Sequence, residues 1–131
     1  MKENKLADLS IAFSVDIINF CEAIKGHYSL TNQLERSATS IGANIHEANY
    51  AHSRADFIAK LQIALKECYE TEYWLELLHE SGYIDSDAAF ESIYNDCQEI
   101  LSILSALGPP FISITEMILS STDILRNTEA S

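Results

Sequence analysis

Glycine and proline are scarce in this chain: four glycines and two prolines in 131 residues, the prolines adjacent at Pro109-Pro110. A β-sandwich or barrel turns about every 8–12 residues and needs more chain-breakers than that, so helices are favoured. Cysteine is scarce as well. Cys21, Cys68 and Cys97 are odd in number and far apart, which excludes a disulfide framework and reads as buried thiols in a reducing compartment, with cytoplasm as the expected location. No apolar run approaches the length of a membrane span. Met1 to Ser10 mix Lys2 and Lys5 with Glu3 and Asp8 and lead into no apolar core, so neither a signal nor a transit peptide is expected. Basic residues are few, eight against twenty acidic ones, for a net charge of −12. That sign argues against holding nucleic acid chiefly by neutralising phosphates.

What is present is the composition of one soluble globular domain: 47% hydrophobic, 21% charged and a mean hydropathy of zero. A chain of this length buries roughly two-thirds of its unfolded surface and needs no bridge or metal to hold a core. Charge is unevenly placed. Residues 1–66 carry seven acids and seven bases, whereas Glu67 to Asp123 hold twelve acids and no lysine or arginine. The acidic half reads first as a solvated face that keeps the protein soluble, and second as a docking face for a basic partner.

Apolar residues at steps of three and four divide the chain into helices. Leu6, Leu9, Phe13, Ile17, Phe20 and Ile24 form one stripe, closed by Gly26. A short link leads to Thr31 as the expected cap of a second helix carrying Leu34, Ala38, Ile41, Ile45 and Ala48. Gly42 inside it costs about 1 kcal/mol relative to alanine, for which close approach of a neighbouring backbone is the expected reason. Ser53-Arg54-Ala55-Asp56 resembles a capping box and predicts the start of a third helix. Its seam is Phe57, Leu61, Ala64, Cys68, Thr71, Leu75 and Leu78, with Thr71 the one polar member. Gly82 ends it. Asp85 or Ser86 caps a fourth helix, in which Phe90, Tyr94, Cys97, Leu101 and Leu104 repeat the steps and Ile93, Ile100 and Leu107 widen them, up to Gly108-Pro109-Pro110. Four amphipathic helices with short links predict an all-α, antiparallel up-down-up-down four-helix bundle over residues 1–110. Residues 111–131 form a tail rich in Ser and Thr, left open between a short helix and disorder.

The third helix carries a second apolar strip. Ile63 and Leu77 lie away from its seam, flanked by Tyr73 and Trp74, and a strip with aromatics on the outer side of a bundle helix predicts a contact between subunits. Scattered exposed apolar residues without consequence are the plain alternative.

No motif supplies catalysis. Glu76-Leu77-Leu78-His79 matches the Glu-x-x-His of di-iron bundles, which need two copies and two further inward glutamates, and here there is one. A solvent-facing His79 is the expected reading. His46-Glu47-Ala48-Asn49-Tyr50 and His79-Glu80-Ser81-Gly82-Tyr83 both end in tyrosine where the zincin motif needs a second histidine. Gly-x-Ser-x-Gly, a phosphate-cradling glycine loop and Cys-x-x-Cys are all missing. The expectation is a protein that is not an enzyme, with no catalytic residue, cofactor or metal.

Two runs carry a resemblance. Gln33-Leu34-Glu35-Arg36-Ser37-Ala38-Thr39-Ser40-Ile41-Gly42-Ala43-Asn44-Ile45-His46-Glu47-Ala48 is similar to the signature of the small bacterial four-helix-bundle proteins encoded in intervening sequences of 23S ribosomal RNA genes. Asp56-Phe57-Ile58, Ile63 to Glu67, Glu72 to Leu78 and Gly82-Tyr83 resemble the rest of that pattern, and together the two runs cover about residues 6–107. His46 and Ala48 depart from it, standing where alanine and glycine are usual. The resemblance implies a four-helix protomer that assembles into a ring, commonly a pentamer, with no known catalytic activity. It extends distantly to the accessory proteins of diversity-generating retroelements, basic barrels that bind nucleic acid and a reverse transcriptase. The charge of −12 here is opposite in sign to theirs.

The signature also has a reading from geometry. With the second and third helices antiparallel about a turn near His52 and Ser53, Arg36 falls level with Tyr69 and Glu70, and an ion pair from Arg36 to Glu70 or Glu67 is expected. Asn44, between Ile41 and Ile45, is a candidate buried amide that fixes helix register. A functional polar pocket of Arg36, Asn44 and Glu47 is the alternative. The leading expectation is a homo-oligomeric scaffold or adaptor. A nucleic-acid accessory, needing Arg36, Arg54, Lys60 and Lys66 on one surface, comes second, and a metal enzyme using Glu76 and His79 third.

Overall fold

A computed structural model describes residues 5–107. They form four helices and, among the described residues, no strand: α1 (Lys5–Ala23), α2 (Tyr28–Ala48), α3 (Arg54–Glu80) and α4 (Asp87–Ser105). Each helix packs on its neighbours in chain order and α4 returns to α1, which makes an up-down-up-down bundle with α1 and α3 at opposite corners. The α2–α3 seam is the most extensive contact and the α1–α4 seam the least. Gly108-Pro109-Pro110 and the tail lie outside the described residues.

Local chemistry sets the ends. The Ser53 hydroxyl accepts from the Asp56 amide at 3.1 Å and starts α3, and the Ser86 hydroxyl accepts from the Ala89 amide at 3.1 Å and starts α4. At the end of α3, Gly82 takes φ +82°, its amide donates to the His79 carbonyl at 3.1 Å, and the Tyr83 amide reaches back to Leu78 at 3.0 Å. That pair of bonds is a Schellman stop, open to glycine because it has no Cβ to clash.

Helix α2 begins at Tyr28, three residues before the expected cap. Thr31 is instead buried in its first turn, its hydroxyl on the Tyr28 carbonyl at 3.2 Å, and His27 caps without a side-chain bond. Only Ile24 to His27 join α1 to α2.

The core is one cluster: Phe13 and Ile17 from α1, Leu34, Ile41 and Ile45 from α2, Leu65, Leu75 and Leu78 from α3, Ile100 and Leu104 from α4, each at most 2% exposed. Side chains of this size contribute about 1.5–3 kcal/mol each when fully buried. Two expected seam positions differ. Phe57 sits in the first turn of α3 and is exposed, because the bundle has not yet closed around it. In α4 the buried line runs through Ile93, Cys97, Ile100, Leu101 and Leu104, while Phe90 and Tyr94 are half-buried at its edge.

Candidate functional site

The outer side of α3 carries the strip expected from its sequence. Ile63 is 41% and Tyr73 57% exposed, Trp74 and Leu77 are half-buried, and exposed Lys66 lies on the same side of the helix. The rings of Tyr73 and Trp74 meet edge to face at 4.9 Å between centroids. Trp74 is held in place, since its indole N–H donates to Glu70 Oε2 at 3.0 Å.

A second strip was not picked out by sequence reasoning. Ile11, Val15 and Ile18 of α1 are 62%, 51% and 39% exposed. Their spacing of four and three puts them on one face, away from the buried line of Phe13, Ile17 and Cys21. The signal was in the chain: α1 has apolar residues at helical steps on two sides, and only one side fits a bundle core. The two strips stand on the two helices at opposite corners.

The polar signature residues line the α2–α3 seam. The Arg36 guanidinium meets the Glu70 carboxylate and the Gln33 amide oxygen, and Glu70 thereby holds both Arg36 and Trp74. One turn inward, the Thr71 and Ser37 hydroxyls, both fully buried, share a hydrogen bond at 2.9 Å. Glu67 follows, with Oε1 buried and without a hydrogen-bond partner among the described residues; burial and then the Glu70 charge push its carboxyl above the usual range, and Arg36 offsets part of this. Asn44 does not bridge helices. It is half-buried, and its amide donates to the Ser40 carbonyl of its own helix at 2.9 Å. Glu47 pairs with Lys60 at 3.0 Å. Arg36, Asn44 and Glu47 therefore have three separate sets of partners and form no common pocket. Arg36 and Lys60, two of the four cations considered for a basic surface, are each held by a carboxylate.

The α3–α4 seam is a polar ladder. Gln98 donates to Glu72, the Tyr94 hydroxyl donates to Glu76 at 2.6 Å, and His79 Nε2 lies 2.8 Å from Asp87. The His79 ring also stacks on Phe90 at 4.0 Å. His79 is thus half-buried at the edge of the α3–α4 seam, with 28% of its side chain still in solvent, and it and Glu76 engage different α4 residues. Among the described residues no group of three His, Cys, Asp or Glu is placed to hold a metal ion. Cys21, Cys68 and Cys97 are free and buried, and burial pushes the Cys21 thiol up to about 12, with the nearby Glu35 charge adding to the rise.

Where α1 and α4 share their smaller seam, a shallow groove opens to solvent. Leu9, Ala12, Phe13 and Ile100 lie beneath it and Asp16, Asp96 and Glu99 at its rim, and among the described residues no basic one lines it. Burial, then Asp16 and Glu99, raise the Asp96 carboxyl.

Fold and surface together define an all-α, up-and-down four-helix bundle with a largely apolar core that includes three thiols and a few buried hydroxyls, a polar α2–α3 seam and two outward apolar strips. The chain belongs to the 23S rRNA-intervening sequence protein family, whose model matches residues 2–106. It is similar to the crystal structure of a protein with unknown function from the S23 ribosomal protein family of Bacteroides thetaiotaomicron, with 48% identity, a TM-score of 0.74, and coverage of 78% of this chain and 96% of that one. Among curated proteins no match is found. No helix among the described residues is long and apolar enough to cross a membrane.

Proposed function

We propose that this protein is a non-enzymatic helical adaptor that works as a homo-oligomeric ring, a pentamer by its family resemblance, in the reducing cytoplasm. The observation that carries the reading is the pair of exposed apolar strips, Ile63–Tyr73–Trp74–Leu77 on α3 and Ile11–Val15–Ile18 on α1. A bundle whose core is already closed has no folding use for them, and each leaves large apolar side chains in water. Because the strips differ and stand at opposite corners, one protomer's α1 meets the next protomer's α3, a head-to-tail contact that closes into a ring. The three buried free thiols fit a reducing compartment. The acidic exposed face of α4 is left for a basic protein partner.

Light scattering on the purified protein tests this: the mass expected is a multiple of the 14.6 kDa protomer, five for the pentamer. A 14.6 kDa particle at micromolar concentration overturns it. The second reading, a nucleic-acid or ribonucleoprotein accessory with kinship to the retroelement proteins, is favoured by the family's tie to ribosomal RNA genes. It is weakened by Arg36 and Lys60, whose charges are already answered by Glu70 and Glu47. Retention of a ribosomal RNA fragment in a low-salt mobility shift, lost steeply as salt rises, would move it ahead.

A further inference from the structure

The strip on α3 is preformed as well as exposed. It runs from Ile63 to Leu77, about 21 Å at the helical rise. Its two aromatic rings are already fixed, Trp74 by its bond to Glu70 and Tyr73 by its edge-to-face contact with Trp74. The chain continues past α4, with residues 108–131 outside the described part, and their sequence has a pattern of its own. Phe111, Ile114, Ile118 and Leu125 recur at steps of three, four and seven, with Met117 beside them, which places them on one side of a helix; Glu116, Ser120 and Asp123 fall on the other. Phe111 to Leu125 is the same separation as Ile63 to Leu77, so the two apolar lines match in length. A segment this short and rich in Ser and Thr is marginal as a helix in water and needs its apolar side covered.

Geometry decides between the two strips. Glu72 pairs with Gln98 and Glu76 with Tyr94, so each step forward along α3 is matched by a step back along α4, and Ser105 falls level with Leu65. A chain that turns back at Gly108-Pro109-Pro110 therefore begins near the level of Ile63 and runs parallel to α3, towards Leu77. The α1 strip, Ile11 to Ile18, is half as long. Reaching it means crossing Asp16, Asp96 and Glu99 at the α1–α4 seam, which repel a segment carrying Glu116 and Asp123. On the way to α3 the carboxylates of Glu72 and Glu76 are already engaged by α4, and the strip itself carries the cation Lys66.

We propose that residues 111–125 dock as a fifth helix on the Ile63–Tyr73–Trp74–Leu77 strip of their own protomer and compete there with the α1 strip of the next one. The proposal rests on the reading that α3 offers a ring contact, and it adds the regulation of that contact. Tied to α4 by a short link, the segment is held at a roughly millimolar effective concentration, so it sets the protein concentration above which the ring forms.

Trp74 is the one tryptophan of the chain, so acrylamide quenching of its fluorescence reports the cover on the strip. The test uses the full chain with Val15→Glu, which removes the competing α1 strip, at a dilution where light scattering gives a 14.6 kDa protomer. Adding Ile114→Asp/Ile118→Asp is expected to raise the quenching constant about twofold or more and to shift the emission to the red. Ser120→Asp, on the polar side of the segment, is expected to change neither. The tail substitutions lie outside the four-helix core, and circular dichroism verifies that the bundle is intact. In the chain with Val15 restored, Ile114→Asp/Ile118→Asp is expected to let the ring survive dilution about tenfold further than the parent. Equal quenching with and without the aspartates overturns the docking, and equal survival on dilution overturns the competition. Quenching of Val15→Glu that falls as its concentration rises makes a second copy the occupant and overturns the contact within one protomer. A monomeric parent whose Trp74 responds to the tail removes the ring and leaves the docking standing, and a ring whose Trp74 ignores the tail does the reverse.

Discussion

Thr71 shows how one polar residue can sit in an apolar seam without cost. Its hydroxyl donates to the Glu67 carbonyl at 2.7 Å and shares a bond with Ser37, whose own hydroxyl also reaches the Leu34 carbonyl at 3.2 Å. Both hydroxyls have partners, and the cross-helix bond fixes the register of α2 on α3, the role the sequence had offered to Asn44. Thr71→Val keeps the shape and loses the bond, so it should lower stability by about 1 kcal/mol in urea unfolding. Combined with Ser37→Ala the loss should be less than the sum of the two, because one interaction is removed twice; strict additivity would show that the bond carries nothing. Asn44→Ala, which removes only a bond within one turn of α2, should cost less than Thr71→Val, and the opposite order would restore the register role to Asn44.

Helix packing turns on smaller features, and glycine is the clearest. A Cβ built on Gly42 meets the Ser10 and Ser14 hydroxyls of α1 at 3.5 Å, ordinary contact, so side chains rather than backbone occupy the space expected to need a glycine. Gly42→Ala should therefore gain up to about 1 kcal/mol from helix propensity, while Gly42→Leu should push α1 off and lose about 1–3 kcal/mol. Gly26 is the contrary case: φ is +109° and a Cβ would come 3.2 Å from the Tyr83 ring, so Gly26→Ala should lose about 1–3 kcal/mol. Thermal unfolding followed by circular dichroism separates the three, and a stabilised Gly26→Ala would contradict this account of the link. The four helices, the Ser53 cap and the Gly82 stop were legible because period, cap and breaker agree there, and the structure chooses Ser86 over Asp85 as the cap of α4. Other features were not legible for physical reasons. The α2 start is set by a turn without a side-chain cap, so Thr31 was the nearest visible signal. In α4, Phe90 and Ile93 are equally apolar, and only the neighbours decide which is buried. The α1 strip was visible as a second apolar face, but the seam of a bundle accounts for one face and leaves the other without a stated partner. The groove depends on how far α1 stands from α4, which no residue spacing encodes.

The whole molecule carries more negative charge than its fold can comfortably hold. Glu67, Glu72 and Asp96 are all raised above the usual carboxylate range, each chiefly by burial and next by an acidic neighbour. A carboxyl with a raised folded-state pKa binds its proton more tightly in the native chain than in the unfolded one, so stability grows as pH falls through the raised values and the gain is complete below the unfolded range near about 4. The urea midpoint at fixed protein concentration should rise from pH 7 to about pH 5, and a fall would show that paired carboxylates outweigh crowded ones. Asp96→Asn should raise it at pH 7, because it removes a carboxylate held beside Asp16 and Glu99. The assembly has its own decisive experiment. Val15→Glu puts a charge into the α1 strip and Tyr73→Glu into the α3 strip, both at exposed positions where the bundle itself loses little. In a head-to-tail ring each variant retains one sound face, so each alone should give small particles, yet an equimolar mixture should form a heterodimer through the sound α1 strip of one and the sound α3 strip of the other. A two-fold contact of α3 with α3 predicts otherwise: Val15→Glu would assemble normally, Tyr73→Glu would not, and mixing would create nothing new. Native mass spectrometry of the mixture distinguishes the cases, because the two variants differ in mass and the heterodimer has a mass that neither variant forms alone.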